Sequence, residues 1–242
     1  NGAHLWIFFE TNIPANQAWA LGFALLDKAM EIFPNLSFDS YDRLFPNQDV
    51  LPEGGFGNLI ALPLQKEARL SGRSCFVDND LNAIDDQWQY LAELKTLTQS
   101  SIDQLITTIS PNTLLLFDQG LTDKRAPWEI TAKAAPIKLE SLPKTVTITL
   151  ANHIYFLMSE LPGPLLAGLK RLASFSNPVF FKTQALRFST HGIPRFISCA
   201  RIENGYLALP RGCLDDAIAL LQEQNISPLF DDKRETGKPL LK

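Results

Sequence analysis

Apolar side chains along this chain switch between two periods, and the switches mark its elements. Trp19, Phe23, Leu26, Met30 and Phe33 follow one another at steps of four, three, four and three residues. That is one stripe along a helix, which Pro14 opens and Pro34–Asn35 ends. Leu165, Leu169 and Leu172 repeat the spacing, as do Leu214, Ile218 and Leu221, and predict two more helices. TVTITL, from Thr145 to Leu150, alternates and is β-branched, the pattern of a half-buried strand. RFISCARIENGYLALP, residues 195–210, places two strand-forming runs around an Asn-Gly pair, which predicts a hairpin.

Shorter runs fill in the rest. LWIFF, from Leu5 to Phe9, is a continuous apolar run rich in β-formers and predicts a buried strand. Strands are also expected at Asn58–Leu62, Ser74–Val77 and Thr113–Phe117, and helices at Asp85–Leu97 and Asp103–Ile109. A polar connector with Pro127, Pro136 and Pro143 follows. The predicted class is mixed α+β. Residues 1–98 form a first unit, an antiparallel or mixed sheet backed by the Pro14–Phe33 helix. Residues 99–143 form a connector that could still belong to it, and residues 144–242 a small α/β unit. The first sheet is expected to have an under-paired edge, because the run at Leu5 has no strand before it.

Composition narrows the classes. The 242 residues are 45% hydrophobic and 20% charged, ordinary globular values with room for one large domain or two small ones. No apolar run is long enough to span a bilayer, and no membrane partner is expected. A net charge of −4 gives no whole-chain attraction to nucleic acid or anionic lipid. The three cysteines, Cys75, Cys199 and Cys213, are widely spaced and odd in number, as suits free thiols in a cytoplasmic protein. A chain that starts on Asn1 with a core run at once, and ends on DDKRETGKPLLK, is expected to be a piece of a longer polypeptide.

The acid–base vocabulary is small: His4, His153 and His191. There is no Gly-x-Ser-x-Gly elbow and no His-Glu-x-x-His. ETGKP near the end is not a phosphate loop, because Asp232 stands at the first Gly position and Pro239 where a Ser or Thr should hold magnesium. His191, Cys199 and Cys213 fit no standard zinc spacing and lack a fourth ligand.

The loop SYDRLFPNQDVLPEGGFGNLIALPL, residues 40–64, sets an acid beside a base and then bends the backbone sharply through Gly54-Gly55-Phe56-Gly57. By residue type alone this is a solvated turn pair and a wide turn. Together with NGAHLWIFF at the start, it resembles the catalytic core of the archaeo-eukaryotic primase superfamily. More narrowly, it is similar to the primase-like domain of TOTE conflict systems, where that domain is fused to a superfamily 2 helicase. The similarity continues through DQWQYL and through residues 169–216, which resemble the segment before the helicase motor.

The resemblance implies an incomplete primase core with an RRM-like mixed sheet, followed by a unit that precedes the motor. It implies DNA and nucleoside triphosphates as partners, with the rest of the parent polypeptide, and Mg2+ or Mn2+ as cofactor. Of the superfamily's three motifs, Gly2-Ala3-His4 matches the small-x-His and Tyr41-Asp42 the third, with Gly where Ser is commoner. The first, an acidic–hydrophobic–acidic strand, is expected upstream of Asn1, so this piece alone should not polymerise. Asp42 is then the metal-binding carboxylate, and His4 a donor to a triphosphate oxygen. Arg43 offers a planar fork for phosphate, and Asn58 lies in the same neighbourhood.

One further feature needs no family. From Leu161 to Arg211 there are seven basic residues (Lys170, Arg171, Lys182, Arg187, Arg195, Arg201 and Arg211) and one acid, Glu203. This segment nets +6 while the remainder nets −10. Phe175, Phe180, Phe181 and Phe188 interleave with the charges, either as core or as stacking platforms. Lys170, Arg171, Lys182, Arg187 and Arg195 are the candidate nucleic-acid contacts. Two functional classes follow: a fragment of a primase-polymerase/helicase fusion, or a non-catalytic nucleic-acid-binding module.

Overall fold

A computed structural model describes residues 3–36, 44–46, 60–109, 142–190, 192–235 and 237. It is mixed α+β. The stripe from Trp19 becomes helix α1, Ala15–Ile32, which starts after Pro14 and stops where Phe33 N–H donates to the Ala29 carbonyl ahead of Pro34. Three shorter helices follow, α2 (Lys66–Leu70), α3 (Gln87–Glu93) and α4 (Gln99–Ile109). The Asp86 carboxylate caps α3 by accepting from the Trp88 and Gln89 N–H groups.

The sheet lies in the second half. Strands β1 (Thr145–Leu150), β2 (Ile154–Leu157), β5 (Arg201–Glu203), β6 (Tyr206–Leu209) and β7 (Ser227–Asp232) form one sheet in the order β5-β6-β2-β1-β7. All its pairings are antiparallel except β1 with β7. Asn204 and Gly205 both take positive φ, as the tight turn between β5 and β6 requires. Strands β3 (Ser174–Ser176) and β4 (Phe196–Ser198) pair separately.

Helices α5 (Gly163–Leu172) and α7 (Leu214–Glu223) cover one face of the sheet. The alternation of β1 buries Val146 and Ile148 beneath them, with Ile154, Phe156, Leu207 and Leu209 from the neighbouring strands. Asn225, at positive φ, ends α7: its N–H reaches the Gln222 carbonyl and the Ile226 N–H reaches Leu221. This closure sends the chain into β7. Helix α6 (Pro178–Ala185) is capped by Asn177.

Helix α1 is buried on two sides. Trp19 and Phe23 cluster with Ile102 and Ile106 of α4 and with Phe196 of β4. Met30 packs on Ala167 of α5. The approach to α5 is close: a Cβ on Gly163 would lie 1.7 Å from the Glu31 carbonyl oxygen.

Several expectations are corrected. The sheet expected behind α1 in the first unit is absent among the described residues, where residues 3–109 hold only the isolated bridges Phe9–Leu97 and Val77–Ala83. LWIFF is extended but not a buried strand, and Leu5 is 84% exposed. Only Ile7 and Phe9 reach the α1–α4 cluster, because successive side chains of an extended run point opposite ways and one side has a partner here. Trp6 and Phe8 stack on each other instead. The helix expected to reach Leu97 ends at Glu93, and Leu97 exchanges hydrogen bonds with Phe8 and Glu10. Residues 60–62 and 74–76 form no strand, while Asn58 and the run Thr113–Phe117 lie outside the described residues. The unmarked stretch Ser227–Asp232 became β7.

Candidate nucleic-acid interface

The run after His4 and Leu44 of the Asp42-Arg43 loop pack on the same hydrophobic cluster. His4 is exposed in the extended run before Ile7 and Phe9, and those two pack on α1 and α4. Leu44, which follows Arg43, packs on the same cluster and sits so close to Gly22 that a Cβ there would lie 2.3 Å from Leu44 Cδ1. Asp42, Arg43, Asn58 and the Gly54–Gly57 turn lie outside the described residues. Among the described residues no group of three or more His, Cys, Asp or Glu side chains is placed to hold a metal ion.

The basic segment divides into charges that face inward and charges that face solvent. Lys170, in the last turn of α5, is 1% exposed. Its Nζ donates to the Pro34 carbonyl and, at 2.5 Å, to the Leu36 carbonyl, just past the end of α1. Burial pulls its ammonium down to about 8. Arg171 donates Nη1–H to Asp27 Oδ1 of α1 in a buried ion pair. The Arg195 guanidinium lies 4.0 Å from the Trp19 ring centroid and 5.3 and 5.2 Å from those of Phe180 and Phe181. These three charges bind the second half of the chain to α1. Lys182, Arg187, Arg201 and Arg211 are exposed. Phe180 is core, whereas Phe175 and Phe188 are exposed.

Cys199 is exposed and Cys213 half-buried, both as free thiols, and His191 lies outside the described residues. Burial, with Asp216 nearby, pushes the Cys213 thiol up.

Sequence patterning missed a group of rings on the other face of the sheet. The His153 and Tyr155 rings meet edge to face at 6.1 Å, and Tyr155 and Tyr206 do so at 6.4 Å. The Tyr155 hydroxyl donates to Asn152 Oδ1 at 2.8 Å. Alternation in Ile154-Tyr155-Phe156-Leu157 was the available signal, since burying Ile154 and Phe156 turns Tyr155 outward. A cavity of about 340 Å3 opens at the same end of the sheet, lined by His153, Ile154, Arg211, Gly212, Leu214 and Arg234 among others. Arg234 is held by Asp232, whose carboxyl that contact lowers to about 2.

Residues 1–105 match the family model of the TOTE conflict system Archaeo-Eukaryotic Primase domain. The match takes in His4, Asp42, Arg43 and Asn58 and ends inside α4, short of half the chain. No curated protein and no solved structure matches the chain. No helix among the described residues is long and apolar enough to cross a membrane.

Proposed function

We propose that residues 1–105 are the later part of a primase-like nucleotidyl-transfer site, in a protein that acts on DNA within a conflict system and carries a helicase motor beyond this chain. The observation that carries this reading is the family match, which spans both stretches chosen for their chemistry. The shared docking of the His4 run and of Leu44 on the α1–α4 cluster supports it, because one rigid support would serve both.

In this reading His4 donates a hydrogen bond to a triphosphate oxygen, and Arg43 sets its planar fork against the same phosphates. Mg2+ or Mn2+ supplies charge stabilisation for phosphoryl chemistry when bound. Among the described residues no cluster of three or more His, Cys, Asp or Glu side chains is placed to hold such an ion. Asp42 is the hard oxygen donor of this reading, with further carboxylates from the longer polypeptide. The exposed Lys182, Arg187, Arg201 and Arg211 hold the strand by its phosphates.

Primer extension tests this. The chain alone incorporates no nucleotide with either metal. The longer parent does, and its Asp42→Asn variant does not while melting at the parent's temperature. Normal synthesis by that variant removes Asp42 from the site, and an inactive parent leaves a nucleic-acid-binding module.

A further inference from the structure

We propose that the face of the five-stranded sheet on which no helix packs among the described residues binds single-stranded DNA, stacking bases on Tyr155 and Tyr206 and seating phosphates on Arg201 and Arg211 at the end of the sheet. The choice of DNA rests on the primase-like reading; the stacking surface does not.

Strand register places the participants. Arg201, Ala208, Tyr155, Thr149 and Asp231 form one row across all five strands. The next row contains Glu203, Tyr206 and Leu157. These rows point away from the core that α5 and α7 cover, because the alternate residues Ile148, Ile154, Phe156, Leu207 and Leu209 form that core and Ala208, though buried, is not part of it. On this face Tyr206 is 39% exposed, Tyr155 is half-buried and Ala208 between Tyr155 and Arg201 is buried; Thr145 and Thr147 are exposed two strands away on β1.

The chemistry of this face suits bases. His153, Tyr155 and Tyr206 make a continuous ridge with centroids 6.1 and 6.4 Å apart. That is roughly twice the ~3.4 Å spacing of successive nucleotides in one strand of a duplex, so the ridge suits bases splayed apart. The Tyr155 hydroxyl is tied to Asn152, which holds its ring in place before any ligand arrives. Thr149 flanks Tyr155, while Leu157 and, beyond Thr147, the half-exposed Leu229 continue the Tyr206 row.

Charge at this end of the sheet is complementary to phosphate. Asp232 is neutralised by Arg234 and Asp231 by Lys233. Arg201 and Arg211 make no ion pair among the described residues, and Arg211 lines the 340 Å3 cavity beside the His153 ring. Glu203, opposite Tyr206, is the one acid in the two rows without an ion-pair partner among the described residues. It sits at the far end of β5 from the cavity, so the strand's phosphates run along the Arg201 side.

Fluorescence anisotropy on the full chain tests this, with a labelled oligo(dT) strand and an abasic strand carrying the same number of phosphates, and with neither nucleotide nor divalent metal present. The wild type binds oligo(dT) more tightly than the abasic strand. Tyr206→Ala weakens oligo(dT) binding by about tenfold and leaves abasic binding unchanged, while Tyr206→Phe keeps both. Arg211→Ala weakens both strands alike and reduces the salt slope by about one. Should Tyr206→Ala melt at a lower temperature than wild type, Tyr206→Leu replaces it under the same criterion. Unchanged oligo(dT) binding, or equal loss on both strands, overturns stacking on this face. So does a dimer in light scattering that Tyr206→Ala dissociates without altering DNA affinity, since a second copy would then own the surface. Failure of the parent to incorporate nucleotides leaves this result standing, and loss of stacking leaves the Asp42→Asn test standing.

Discussion

Arg171 of α5 and Asp27 of α1 form an ion pair across 144 residues of sequence, with side chains 11% and 1% exposed. Neither charge has water enough to stand alone, so each depends on the other. Removing the carboxylate by Asp27→Ala strands the guanidinium and destabilises the chain by about 3 kcal/mol or more. The double variant Asp27→Leu with Arg171→Met recovers part of that loss, because the buried guanidinium is removed together with its carboxylate. Urea unfolding of the three proteins measures both effects, and equal stability of all three would deny the pair its role.

Lys170 ties stability to alkaline pH. Its folded-state value is about 8, against 10.5 for the free side chain, and burial is the cause. Between these values the folded chain has released the proton and the unfolded chain still holds it. Unfolding therefore takes up a proton, and stability rises as pH rises through that window. Below about pH 8 both states are protonated and the contribution is flat. The unfolding free energy of wild type relative to Lys170→Met should climb by about 3 kcal/mol from pH 8 to 10.5. A flat difference across the window would show that the ammonium is not desolvated.

Gly163 sets how near α5 comes to α1. Gly163→Ala drives a Cβ into the Glu31 carbonyl, a backbone atom that cannot swing aside, and the helices must part. The melting temperature should drop by an amount equivalent to about 2 kcal/mol or more. Gly212→Ala, where a Cβ meets nothing within 4 Å, is the control and should melt within a degree or two of wild type.

Inward and outward charges of the basic segment separate in a salt series. Lys182→Ala with Arg201→Ala removes two exposed charges and should lower the slope of log affinity for single strands against log salt by about 1.4, with folding intact. Lys170→Ala with Arg171→Ala should instead lower the melting point, because it opens two carbonyls and one carboxylate inside the protein. Circular dichroism melts alongside anisotropy distinguish the two outcomes. Equal folding and an equal loss of slope in both variants would place all four charges on one surface.

What the sequence determined by itself was everything written in local period. The Trp19 stripe of α1, the alternation of Thr145–Leu150, the leucines of α5 and α7 and the Asn204–Gly205 turn each need only neighbours three or four residues away, or two. The likeness to a primase-like domain was legible for another reason: it is carried by residue type and order, and the family match covers residues 1–105.

Tertiary structure decided the partners and the directions. Ser227–Asp232 has no alternation to announce it, and it became β7 because β1 offered it six paired positions once α7 had turned the chain back. LWIFF had the composition of a buried strand, but a run is buried only where something covers both its faces, and Leu97 with the α1–α4 cluster covers one. A charge count over residues 161–211 is a scalar. It could not tell that Lys170, Arg171 and Arg195 point at the carbonyls, the carboxylate and the rings of α1 and its surroundings, while Arg201 and Arg211 point out. Helix faces close on whichever surface removes most apolar area from water, and the side chains at their margins take their direction from that closure.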